Sequence, residues 1–271
     1  MQELRGLPVV NSLAEKFKIQ IEELAKNNII PKLAVVRVGE RDGDIAYERG
    51  IIKRFAAVNA AVEVFALPID VSQDALEETI ITLNGDDGVH GIIVFRPLPK
   101  HLSAERLKTI ISEEKDVDCM GNTKSYPPCT PQAVIEILDY YGVDLTGKKV
   151  TIVGRSPVVG KPLAMLILDR NATVTICHTK TADIAGECKR ADILVASAGV
   201  AKMIDADYVH GNQIVIDVGI NYVDGKLCGD VDYESVADKV KAITPVPGGV
   251  GTVTTSVLLK HTINYRGNKY V

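Results

Sequence analysis

The feature that most restricts how this chain can fold is a repeated rhythm, in which short continuous runs of Val, Ile and Leu alternate with longer stretches of helical periodicity. Leu33–Val38, Val62–Leu67 and Gly91–Phe95 are such runs, separated by helical stretches over about 44–58 and 73–83. Apolar runs that lack polar alternation belong to strands buried on both faces, and strands separated by helices pair in parallel, so the pattern predicts βαβ units. A second series begins at Lys148 with Val150–Val153, a glycine-bearing turn, a helix over 162–169, and then Ala172–Cys177, Ile193–Ala196 and Ile214–Val218. The expected fold class is therefore α/β, with two α/β lobes joined near residue 140. Between them lies an irregular segment, roughly 113–131, rich in charge and proline. Thr130 and Pro131 suit the N-cap and first position of a helix reaching Tyr141. Ser12 and Glu15 read as a capping box that opens a helix ending near Lys26. A final helix over 253–263 returns to the first lobe.

At about 150 residues per domain, 271 residues fit one large domain or two modest ones. Hydrophobic residues at 46% and charged residues at 24% describe a chain able to bury a core. A formal charge of -4 provides no basic excess, so nucleic acid and anionic membrane surfaces are not expected partners. The five cysteines form no C-x-x-C pair and no zinc-type cluster with the histidines, so reduced thiols in a cytoplasmic protein and no bound metal are expected. Neither a secretory leader nor a membrane span is read in the chain.

The most informative turn is Gly154-Arg155-Ser156-Pro157-Val158-Val159-Gly160-Lys161-Pro162, which follows a strand and opens a helix. A dinucleotide pyrophosphate fits such a turn, because glycine admits close backbone approach and the helix N-terminus presents amides and positive dipole. The match to G-x-G-x-x-G is imperfect: Ser156 holds the middle position and Gly160 comes one residue late. A phosphate-binding Walker loop fails on its glycine spacing and on Pro162 where Ser or Thr is needed. A plain βα turn remains an alternative. At the end of the next strand, where NAD-binding units place Asp or Glu, the chain reads Cys177-His178-Thr179-Lys180. Arg155, Thr179 and Lys180 offer donors to a 2'-phosphate, which favours NADP over NAD, although Lys180 taken singly also reads as a solvated loop cation.

With this turn come Gly91–Pro99, Lys115-Asp116-Val117-Asp118, Pro128-Cys129-Thr130-Pro131, Asp217-Val218-Gly219-Ile220-Asn221 and Pro245–Gly251. In this order, from Leu33 to Leu259, the set resembles the methylenetetrahydrofolate dehydrogenase/cyclohydrolase family. The resemblance implies two α/β domains with a cleft between them: a folate-binding catalytic domain over 1–138 plus 254–271 and a Rossmann-type NAD(P)-binding domain over 139–253. It implies a homodimer acting on tetrahydrofolate derivatives. It also implies oxidation of 5,10-methylene-tetrahydrofolate to the methenyl form and, in bifunctional members, hydrolysis to 10-formyl-tetrahydrofolate. Tyr47 matches the tyrosine that stacks on the aminobenzoate, and Asp118 the aspartate that holds the pterin; these are the two candidate catalytic residues. Pro128, Thr130, Gly248 and Gly249 match folate-side loops. Gly154, Arg155, Ser156, Gly160, Thr179, Lys180 and Ile220 fall on the cofactor side.

The chain departs from the pattern where hydrolysis is concerned. Four residues after the tyrosine the bifunctional family has a lysine, and here stands Ile51; its glutamine partner at the end of the third strand is Phe95. Lys53 does not simply replace the lysine, because positions two apart on a helix point about 200° away from each other. Cys119 and Thr252 replace a glycine and a proline. Hydride transfer needs two aligned ligands, whereas hydrolysis needs an activated water and a managed proton. The expectation is a dehydrogenase with weak or absent cyclohydrolase activity. The alternatives are a bifunctional enzyme, with Lys53 recruited by a helix distortion at Gly50, and a silent folate- or nucleotide-binding protein.

Overall fold

The main sheet of each lobe pairs in parallel, as the run pattern predicts. The structure, a computed structural model, describes residues 1–121 and 125–265. In chain order the first elements are β1 (Gln2–Glu3), α1 (Gly6–Ala25), β2 (Lys32–Val38), α2 (Asp42–Ala56), β3 (Ala61–Leu67), α3 (Gln73–Gly85), β4 (Gly91–Val94), α4 (Ala104–Ile110) and α5 (Cys129–Tyr140). There follow β5 (Lys149–Val153), α6 (Gly160–Leu168), β6 (Thr173–Cys177), α7 (Ile184–Lys189), β7 (Ile193–Ala196), β8 (Ile214–Asp217), β9 (Asn221–Val223), β10 (Lys226–Cys228), α8 (Tyr233–Val236), β11 (Ala242–Ile243) and α9 (Val250–Ile263).

The chain forms two compact units, one of Ser12–Pro127 with the chain from Thr255 on, the other of Met1–Asn11 with Pro128–Thr254. In the first unit β3, β2 and β4 form a parallel sheet in that order, with Val35 opposite both Val64 and Ile93. Every residue of β4 is buried, and Ala34, Val36, Ile92 and Val94 pack with Leu76, Ile80 and Leu107 of α3 and α4. Because β2 lies in the middle, its crossovers leave in opposite directions, and a crevice opens beyond the carboxyl ends of β2 and β4.

The second unit is a parallel sheet ordered β1-β11-β8-β7-β5-β6, with an antiparallel β9–β10 hairpin. Counted from β5, the order is that of a doubly wound nucleotide-binding sheet, whose switch point lies between β5 and β7. Its core joins Val153, Leu194, Val215 and Ile243 to Cys188 and Val236 from the flanking helices.

These units differ from the expected boundaries. Residues 1–11 belong with the second unit because Gln2 and Glu3 pair with Ala242 and Ile243, an edge strand too short to register as an apolar run. Helix α5 also lies there, packed against α6. Ser12 is no cap. Helix α1 begins at Gly6, and the buried spacing Val9, Leu13, Phe17, Ile21, Leu24 runs straight through that position. Likewise α5 starts two residues early: its cap is Pro128, and Thr130 lies inside the first turn.

Leu4 is buried, and its amide donates to Ile243 O at 2.8 Å. Leu4→Ala is therefore expected to lower the unfolding free energy by about 2–5 kcal/mol, read as a fall in urea midpoint. An unchanged midpoint would mean that the N-terminal strand is not part of the folded sheet.

Candidate functional site

In the first unit, the chemistry-bearing residues gather at the carboxyl end of β2 and β4. Helix α2 runs through Gly50 without interruption and buries Ile51 and Phe55, which sets Tyr47 one turn above Ile51. Arg37, buried at the end of β2, clamps this turn: its Nε donates to Glu48 Oε2 at 2.8 Å, and a second guanidinium N–H donates to Gly39 O. The Tyr47 ring lies against Phe95, centroids 5.3 Å apart and planes tilted by 38°. Ile51 is 0% exposed and Phe95 5%. Lys53 is exposed, and no helix distortion redirects it.

The next residue along, Arg96, donates from Nη2 to Asp118 Oδ2 at 2.9 Å, a pairing that no motif announced. Asp118 reaches this place because the preceding segment is bound to the edge of β4, where Ile92 N donates to Lys115 O at 2.7 Å. Two buried charges fix that segment. Lys115 donates from Nζ to Leu83 O, Asn84 O and Asp86 O at 3.1, 2.8 and 2.7 Å, neutralising the carbonyl end of α3. Burial pulls its ammonium below the usual lysine range. Asp116 accepts from Met120 N and Gly121 N at 2.9 and 2.7 Å, folding the loop back after Asp118. Burial raises its carboxyl, with the two amides opposing. Cys119 takes a left-handed conformation at φ 52° in this loop, and burial pushes its thiol up to about 12, so it remains protonated. His261 Nδ1 lies 2.9 Å from Val117 O and braces the same segment from α9.

In the second unit, three turns at the switch point surround a hollow of about 240 Å3: Gly154, Arg155 and Ser156 after β5, His178 and Thr179 after β6, and Ser197, Ala198 and Val200 after β7. Gly154 has φ 129°, and a Cβ there would lie 2.2 Å from Ser197 O; a Cβ on Gly160 would lie 2.2 Å from Gly154 O. The glycines are thus required by the turn's own close packing, whatever occupies it. Ser156 Oγ accepts from Val159 N at 3.0 Å and closes the turn before α6. After β6, Thr181 Oγ1 accepts from His178 N, leaving Thr179 and Lys180 exposed; Thr179 lines the hollow and Lys180 does not. Asp183, a carboxylate following this strand, is occupied in accepting from Gly186 N as the cap of α7. Residues 197–200 were not anticipated, although their place after the Ile193–Ala196 run was a signal.

Of the remaining expected residues, Pro128, Thr130, Gly248, Gly249 and Ile220 lie in the second unit, so the folate-side set is divided between units. Gly248, at φ 103°, accepts from Gly6 N at 2.8 Å. Ile220 is exposed on a loop held by Asp217, which accepts from Gly219 N, Asp230 N and Val231 N at 2.9, 3.0 and 2.9 Å. Burial pushes Asp217 up to about 6, against those amides.

Residues 4–118 match the catalytic domain of tetrahydrofolate dehydrogenase/cyclohydrolase, and residues 128–269 match its NAD(P)-binding domain. The chain belongs to the tetrahydrofolate dehydrogenase/cyclohydrolase family. It is 49% identical to a bifunctional protein FolD of Clostridioides difficile, over 97% of this chain and 95% of that one. The bifunctional FolD structure from Campylobacter jejuni superimposes with a TM-score of 0.94 at 36% identity, covering 99% of both chains. The FolD of Trypanosoma brucei, solved with NADP and an inhibitor, gives 0.88 at 33% identity, with 96% and 95% covered.

The raised carboxyl of Asp217 yields a pH prediction. Its folded-state value of about 6 exceeds the ordinary aspartate value of 3.8, so ionisation opposes folding: its stabilising contribution is complete below about pH 4 and lost as pH rises through 6. In urea melts, wild type is expected to lose stability relative to Asp217→Asn between about pH 4 and 7. A pH-independent difference would contradict the assignment.

Proposed function

We propose that the protein is an NADP-dependent 5,10-methylene-tetrahydrofolate dehydrogenase whose cyclohydrolase step is weak or absent. The observation that carries the second clause is the burial of Ile51 and of Phe95, the latter against the Tyr47 ring, at positions where the resemblance implies a lysine and a glutamine. Oxidation of the methylene carbon requires alignment and asks no protein group for a proton. NADP, when bound, accepts the hydride. Tyr47 presents a flat face to the aminobenzoate, and Asp118 accepts hydrogen bonds from the amidine-like edge of the pterin. Pro128, Thr130, Gly248 and Gly249 are the second unit's candidate folate contacts. Ser156 and Gly160 would bring backbone amides to the pyrophosphate, while Gly154, whose own N–H donates to Cys177 O, would let the backbone approach it; Arg155 and Thr179, which line the hollow, would donate to the 2'-phosphate, with Lys180 beside them in sequence and outside the lining, and Ile220 would border the cofactor.

Hydrolysis of the methenyl product differs. Water must be deprotonated as it adds, and an isoleucine beside a phenylalanine has no atom that donates or accepts a proton. The bifunctional reading is the alternative, and the names of the relatives at 46–49% identity fit it better than they fit a lost step. A cytoplasmic homodimer is proposed on family habit, with light scattering as the check.

Two measurements test these readings. Methenyl-tetrahydrofolate is expected to accumulate from methylene-tetrahydrofolate plus NADP, and to decay at the enzyme-free rate when supplied alone. An Ile51→Lys/Phe95→Gln double variant is expected to accelerate that decay, with general acid–base assistance worth about 10²–10⁴ as the upper range. Accelerated decay with wild type establishes the bifunctional reading instead. For the cofactor, Arg155→Ala is expected to raise KM for NADP about ten- to a hundredfold while changing that for NAD little. Equal effects would remove the 2'-phosphate assignment.

A further inference from the structure

The Arg96–Asp118 pair has no evident structural purpose. Its side chains are 37% and 23% exposed, and an ion pair so placed contributes about 0–1 kcal/mol to stability. The segment that carries Asp118 is already anchored by hydrogen bonds of Lys115, Asp116 and His261, none of which uses Arg96, although the Arg96 charge also favours the ionised Asp116. Yet the guanidinium is held at the carboxyl end of β4, beside the crevice of the first unit, immediately after Phe95 and its contact with Tyr47. An arginine has five N–H donors in a planar fork, and Arg96 spends one, from Nη2, on Asp118.

We propose that Arg96 is a specificity-determining residue that reads the 4-oxo group of the pterin, working with Asp118 as one donor–acceptor unit. This rests on the folate reading given above. The edge of a 2-amino-4-oxopterin presents two donors, the 2-amino group and N3–H, followed by one acceptor, O4. A carboxylate alone satisfies the first two and leaves O4 facing acceptor lone pairs or water. With Arg96 bonded to Oδ2, the carboxylate is flanked by a second, cationic donor set in the same crevice, which completes a pattern complementary to the entire edge. A 4-amino ring puts a donor where O4 stood and a lone pair where N3–H stood, so it meets the guanidinium as donor against donor and the carboxylate as acceptor against acceptor; only the first mismatch depends on Arg96.

The proposal assigns discrimination to Arg96 and not merely support of Asp118, and the two roles separate experimentally. Binding of tetrahydrofolate and of its 4-amino counterpart is measured by calorimetry on the full chain, without NADP, for wild type, Arg96→Leu and Arg96→Lys. Wild type is expected to prefer the 4-oxo ligand. Arg96→Leu is expected to weaken that ligand about ten- to a hundredfold, as for loss of a charge-assisted hydrogen bond, while changing the 4-amino ligand less than about threefold. Arg96→Lys is expected to restore part of the preference. Equal weakening of both ligands would make Arg96 a support for Asp118 only, and no weakening would leave it without a role; either overturns the proposal. Wild type that binds neither ligand overturns the folate reading itself. An unchanged urea midpoint for Arg96→Leu shows that any loss is not a loss of fold.

Discussion

Parallel strands impose the constraint on which everything else depends. A parallel strand needs apolar cover on both faces, and the chain can reach its parallel neighbour only by crossing over a face and returning to the same end. All loops that leave the carboxyl ends therefore share one edge of their sheet, and where successive crossovers diverge a crevice opens. The six-stranded sheet has that point between β5 and β7, and the three turns that line the hollow come from β5, β6 and β7. In the three-stranded sheet the same point falls beyond β2 and β4, where Tyr47, Phe95 and Arg96 lie. In each unit the chemistry is where the strand order puts it.

Exact placement needs more than topology, and here buried charge supplies it. Lys115 and Asp116 are adjacent and of opposite sign, yet neither is satisfied by the other. The lysine holds three carbonyls at the end of α3, and the aspartate holds two amides of the following loop. Pairing with fixed backbone dipoles compensates the desolvation of each ion and leaves no rotamer freedom to either. The segment between a helix terminus and a tight loop is thereby fixed at both ends, and Asp118 projects from it. Asp217 does comparable work in the second unit, tying the turn after β8 to the residues after β10 through three amides.

Much of this was legible from local pattern. The βαβ series could be read because parallel strands reject polar alternation, and the turn at 154–160 because glycine there answers a steric demand that few other residues meet. What stayed hidden lacked local signal. The two-residue strand β1 has no periodicity to detect, and its membership depends on Ala242 and Ile243, some 240 residues away. Ser12 and Glu15 have the chemistry of a cap, but the apolar stripe of α1 continues past them and packing decides the start. Arg96 and Asp118 are 22 residues apart, in segments joined by the bridge of Asp116 to Ile92. No spacing rule links them.

The replacement of a polar pair at positions 51 and 95 is informative because of what surrounds it. A lysine and a glutamine at such positions each need partners, and when buried without water they cost more than they contribute. Isoleucine and phenylalanine need none, and Phe95 adds a ring contact to Tyr47 that fixes the tyrosine's face. In the proposed reaction the two demands point the same way. Hydride transfer gains from a dry, rigid wall beside the reacting carbon, whereas hydrolysis requires an ordered water and a group to take its proton. Under that proposal the Phe95 contact that holds the Tyr47 ring serves the first, and neither Ile51 nor Phe95 supplies the acid or base that the second needs. Under the proposed function the two substitutions would together remove one proton-handling pair, so their effects on the two half-reactions belong together.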